Sequence, residues 1–172
     1  MTWLLVLQLA LAALPNPQTT PGALNPAISW KTAYKTICAP SGWSTKVLRP
    51  PTSYTNAIKR RQMLALGYTV ANPLPMIRTK KGGTRPDLSY CVPRSANPAC
   101  YELDHVVNLS IGGSAADEKN LWVQPIAEAL KKDVLERTLQ QGICAGRIDM
   151  VDAQRAIATN WVKAYREYVE GR

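Results

Sequence analysis

Four cysteines, Cys38, Cys91, Cys100 and Cys144, are spread through 172 residues without a Cys-x-x-Cys pair. Structural zinc sites use such close pairs, so the set reads as two disulfides. Four cysteines allow three pairings; the short loop from Cys91 to Cys100 makes that pair the natural one and leaves Cys38 for Cys144. The alternative is four reduced, buried thiols. Disulfides point to an oxidising compartment, and the N-terminus agrees. An uncharged apolar run reaches Leu14 and contains Ala10-Leu11-Ala12, an A-x-A cleavage pattern. About 12 apolar residues are too few to span a bilayer as a helix. Residues 1–14 therefore read as a signal peptide, with an uncleaved interfacial anchor as the alternative. The Pro-rich 15–27 stretch reads as a flexible lead and 28–172 as one domain, secreted or periplasmic, with no stable membrane insertion after signal removal.

The formal charge is +9. Such a surface attracts a polyanion: nucleic acid through counterion release, or an anionic membrane or cell wall through the same field. Short stretches at Lys35 to Cys38 and Thr45 to Leu48 are candidate strands. Residues 55–66 predict a helix capped by Ser53 or Thr55 and stopped by Gly67. Its Lys59, Arg60 and Arg61 form either a phosphate-contacting patch or a solvated face. The Pro- and Gly-rich 68–99 stretch reads as a loop carrying Lys80, Lys81 and Arg85, which suits a basic flap or a plain surface loop. After Pro125 a helix places Leu130, Val134 and Thr138 on one row, with Leu135 and Leu139 beside it, and ends at Gly142. A second helix begins near Asp149 and Asp152 and buries Ile157, Trp161, Ala164, Tyr165 and Tyr168.

Chemistry concentrates between Tyr101 and Pro125. His105 is the sole histidine, which excludes a multi-histidine zinc site. It follows Asp104, whose carboxylate suits a hard cation. Together they form a minimal kit for phosphodiester hydrolysis, a neutral imidazole to take a proton from water beside a cation that steadies phosphate charge. Gly112-Gly113 lets the intervening loop turn, and Lys131 and Lys132 open the next helix near the site, placed to meet the scissile or a neighbouring phosphate, with a solvated helix face as the alternative for Lys131. Adjacent strand residues point to opposite faces, so Asp104 and His105 serve one site only if the strand ends or bulges there.

The run Asp104-His105, Gly112-Gly113 and Asn120-Leu121-Trp122 followed by a helix resembles the HNH, or ββα-metal, nuclease pattern. The similarity is to a group of small exported bacterial proteins and extends to Thr20 through Pro26, Thr36-Ile37-Cys38, Gly42-Trp43, Arg49-Pro50-Pro51, Ser53-Tyr54-Thr55, Lys132-Asp133, Leu135-Glu136, Cys144-Ala145-Gly146 and Ala153-Gln154. It implies an α+β fold with a small ββα motif at about 101–141, packed with C-terminal helices and stabilised by disulfides. It implies a metal-dependent endonuclease with His105 as general base and Asp104 as metal ligand. Asn120 becomes a second ligand or the brace of the loop and imidazole. Glu128, standing where the group tends to place Asn before an Ala-x-x-Lys-Asp run, becomes a third ligand or an ordinary first-turn residue. Oxygen donors favour Mg2+, with Mn2+ as substitute. The expected partner is nucleic acid, DNA favoured over RNA. The rival reading is a non-catalytic exported module that holds DNA or an anionic cell-surface polymer. A toxin role would add an inhibitor protein that this chain does not reveal.

Overall fold

The computed structural model describes residues 13–40, 44–67, 75–79, 82–91 and 97–172. The described residues form a mixed α+β chain with three α-helices and two small antiparallel sheets. In order these are α1 (Thr52–Ala65), β1 (Met76–Arg78), β2 (Thr84–Pro86), β3 (Tyr101–His105), β4 (Leu121–Pro125), α2 (Ile126–Cys144) and α3 (Met150–Tyr168). β1 pairs with β2 and β3 with β4, the latter in a register that sets Glu102 opposite Gln124 and Asp104 opposite Trp122.

Both expected disulfides are present, Cys38–Cys144 and Cys91–Cys100, each with Cα atoms 5.3 Å apart. The first encloses most of the chain and contributes about 4–5 kcal/mol in the chain-entropy picture. The main core lies between the β3–β4 unit and the two C-terminal helices, where Val106, Ile111, Leu135, Leu139, Ile157 and Trp161 meet. A second cluster joins Met63 of α1 to Cys100, Tyr101 and Val123, and a third gathers Ile28, Ala33, Ile37 and Met150 beside Cys38.

Several local expectations change. Residues 33–35 and 45–48 form 3-10 turns, not strands. Thr36 Oγ1 donates to Thr32 O and the Ser44 hydroxyl accepts from Lys46 N–H, so local side-chain bonds take the groups a ladder would need. α1 starts at Thr52, behind Pro51, without a side-chain cap, and stops before Gly67 at φ 79°. On α2 the Leu130 and Val134 row faces solvent, while Leu135 and Leu139 are fully buried beside Lys132. The core face of that helix contains a lysine, which displaces a purely hydrophobic period onto the neighbouring row. α2 runs past Gly142, where a Cβ would lie 2.3 Å from Ile148. α3 begins as expected: Asp149 accepts from Val151 N–H and Asp152 N–H. Part of the expected 68–99 loop is the β1–β2 hairpin. The stretch read as a flexible lead is laced to the β3–β4 loop: Gly22 N–H donates to Lys119 O, Asn25 N–H to Gly112 O and Ser114 N–H to Ala23 O. No helix among the described residues is long and apolar enough to cross a membrane. Residues 1–12 of the expected signal peptide lie outside the described residues.

Candidate active site

Glu102 and Asp104 stand two residues apart on β3 and share a face. His105 occupies the last strand position, where the chain bends into Val106 and Val107. One cross-strand bond lies beyond it, Val106 N–H to Asn120 O at 2.8 Å, and the chain then leaves the strand. Asp104 and His105 line one cavity of about 350 Å3, together with Glu102, Asn108, Asp133, Glu136 and Arg49.

His105 is 9% exposed, with Nε2 3.1 Å from Ala115 O. A carbonyl only accepts, so this bond requires the proton on Nε2 and leaves Nδ1 as the basic nitrogen of the neutral ring. Burial, the largest influence, lowers the pKa of His105, and Arg49 and Lys132 add to it against the Ala115 carbonyl and Asp104. The ring is thus neutral at neutral pH.

Asn120 is fully buried and does not line the cavity. Its Oδ1 accepts from Val107 N–H at 2.9 Å and Ala23 N–H at 3.3 Å, while Nδ2 donates to Val107 O and Ser114 O. Those bonds brace the loop that carries Ala115 beneath His105, and they leave the amide no free oxygen for a cation. Gly113 belongs to the same packing, because a Cβ there would lie 1.8 Å from Val107 O.

Lys132 is corrected from a phosphate contact to a buried cation. Its Nζ donates to Asp104 Oδ2 at 2.9 Å, to His105 O at 2.7 Å and to Glu136 Oε1, with 1% of the side chain exposed. Around it the cavity is acidic. Burial first, then Asp104 and Asp133, push Glu102 up to about 7, and burial pushes Glu136 up to about 7 despite Lys132.

Glu128 does not line this cavity; its carboxylate accepts from Ala13 N–H at 2.8 Å. The expected ligand trio of Asp104, Asn120 and Glu128 is therefore not brought together. Among the described residues, no three His, Cys, Asp or Glu side chains are grouped to hold a metal ion. Magnesium, however, is usually held by one or two carboxylates, several waters and substrate phosphates. Asp104 and Glu102 supply that donor type. Asn108 Oδ1, on a residue lining the same cavity, is buried without a hydrogen-bond partner among the described residues. The cavity wall thus fits a hard cation in its chemistry.

The basic residues disperse. Lys59 is half-buried beside the site, donating from Nζ to Tyr101 O at 2.5 Å and lining an adjoining cavity with Arg49 and His105. Arg60 is exposed, Arg61 pairs with Glu118 on the surface, Arg85 is exposed on β2 and Lys131 is exposed on α2. Lys80 and Lys81 lie outside the described residues. Arg49, notable in the sequence only within its Arg-Pro-Pro run, is the cation on the wall. Glu102 was readable from its two-residue spacing to Asp104, and Glu136 from its four-residue spacing to Lys132. No comparable signal marks Arg49 or Asn108. No protein-family model, curated protein or solved structure matches the chain.

Proposed function

We propose that the protein is an exported endonuclease of the HNH kind that hydrolyses nucleic-acid phosphodiester bonds, with β3, β4 and α2 as its ββα unit. The observation that carries this reading is His105, held by Ala115 O with Nδ1 left as the base, opening onto one cavity with Asp104 and Arg49 in a strongly basic chain. His105 Nδ1 takes the proton from the attacking water. Arg49 meets a phosphate oxygen, and exposed Arg60 and Lys131 hold the flanking backbone without reading bases. Asp104 and Glu102, with Asn108 Oδ1, are the oxygens that would hold Mg2+ or Mn2+. A cation bound there supplies charge to the phosphate and leaving oxygen. Lys132 fixes Asp104 through Oδ2 and leaves Oδ1 for that use.

The same lysine favours a second reading. A resident ammonium already neutralises part of the acidic wall, as suits a scaffold that binds polyanions without cutting them. Supercoiled plasmid and single-stranded RNA, incubated with oxidised protein and Mg2+, Mn2+ or EDTA, separate the two. The nuclease reading expects metal-dependent nicking that falls about 10²–10⁴-fold in His105→Ala. A gel shift with intact substrate under every metal condition would establish the binding module instead.

A further inference from the structure

Ala13 is anchored three ways. Its N–H donates to Glu128 Oε2 at 2.8 Å, its carbonyl accepts from Trp161 Nε1 at 2.9 Å, and it packs against the main core. Two residues on, Pro15 is buried. Glu128 stands in the first turn of α2 and Trp161 in α3, so two separate elements converge on one backbone residue. A single neutral amide is a poor counterpart for a half-buried carboxylate. Burial raises the pKa of Glu128, and the Ala13 N–H and then Lys131 act against it. An α-ammonium at the same position carries a full positive charge and two further N–H donors, so it adds an ion pair to the hydrogen bond that the amide already gives the carboxylate. Ala10-Leu11-Ala12 ends one residue before Ala13, and cleavage at an A-x-A pattern follows its second alanine.

We infer that the Ala12–Ala13 bond is cut during export, before folding, and that Glu128 and Trp161 form a receptor for the N-terminus so created. A signal peptidase adds water across the bond; the carboxylate leaves on Ala12 and the α-ammonium stays on Ala13. Its charge closes the ion pair with Glu128 while Trp161 holds the Ala13 carbonyl. The start of the mature chain is thereby stapled across α2 and α3. This inference shares with the proposed function only the expectation of export, and it does not involve His105 or the cavity.

The full chain, secreted from a bacterial host, is read by intact mass and N-terminal sequencing. The product is expected to begin Ala-Leu-Pro-Asn; retention of residues 1–12, or a start at another residue, overturns the inference. On the secreted product, an amine-reactive ester is expected to modify the α-amine several-fold faster in Glu128→Gln, with Tm lower by about 2–4 °C. Should that variant fail to accumulate, Trp161→Phe, which removes only the donor to Ala13 O, is expected to speed modification in the same direction. An α-amine that reacts at the same rate in wild type and variant means that no receptor exists. Plasmid nicking is not a readout here, so failure of either idea leaves the other standing.

Discussion

An ammonium with 1% of its side chain exposed survives in a protein interior only if its protons find acceptors, and Lys132 finds three. One lies on the strand that carries the candidate base, one is the backbone carbonyl of that base, and one is on its own helix a turn away. The side chain therefore ties α2 to the end of β3, and both elements line the cavity. Removing its charge strands Asp104 and Glu136 in a poorly solvated place, the circumstance in which breaking a buried pair costs about 3–5 kcal/mol. Lys132→Met, close in volume, is expected to lose stability of that order in urea unfolding. Lys131→Ala, one residue earlier and exposed, is expected to stay within about 0.5 kcal/mol of wild type. Equal effects at the two lysines would remove Lys132 from its place as organiser of the site.

α2 shows how an element can be legible as a helix and misread as a surface. Its existence follows from spacing, yet Leu130 and Val134 are exposed while Leu135 and Leu139 have no exposure. Leu135→Ala is accordingly expected to cost about 2–5 kcal/mol, and Leu130→Ala under about 0.5 kcal/mol, in the same denaturant titration. α3 was more legible because Ile157, Trp161 and Ala164 are all apolar and all buried, with Asp149 signalling the start, although Tyr165 and Tyr168 of the expected stripe are only partly buried. The short loop between Cys91 and Cys100 favoured that pair and left Cys38 for Cys144, while four reduced thiols stood as the alternative. The 3-10 turns around residues 33–35 and 45–48 were not legible, since β-branched residues fit either a strand or a tethered turn and only the competition from side-chain hydroxyls decides. The candidate site divides along the same line. Asp104 and His105 sit in one short run, so their meeting needs nothing beyond the end of a strand. Arg49 reaches the cavity from 55 residues before Asp104, a placement that depends on tertiary packing and leaves no local trace. Asn120 is intermediate: its position in the run was visible, while the choice between ligand and brace depended on the four backbone groups that surround it.

At the scale of the whole molecule, a chain with net charge +9 gathers acidic residues at its candidate site. Glu102, Asp104, Asp133 and Glu136 face a common space with Arg49 and Lys132 as counter-charges, and the balance is negative. Glu102 and Glu136, both pushed up to about 7, hold protons in the folded state that the unfolded chain releases near pH 4.5. The folded state then binds more protons than the unfolded one between those values, so stability falls as pH rises through that window. His105 acts in reverse. Its lowered pKa means that the unfolded chain takes up a proton first, and stability is lost as pH falls below the ordinary histidine range. Two carboxyls against one imidazole leave the net slope downward with pH. In EDTA, Tm is therefore expected to be higher at pH 5 than at pH 8. A divalent cation binding only the folded, ionised wall would reverse the loss by mass action. Millimolar Mg2+ or Mn2+ is expected to raise Tm by a few degrees at pH 8 and to leave it nearly unchanged at pH 5, as followed by calorimetry. A cation-dependent rise of equal size at both pH values would place the ion away from Glu102 and Asp104. No rise at pH 8 would mean that this wall, with Arg49 on it and Lys132 behind it, takes no divalent cation, and the metal-dependent nuclease reading would fall.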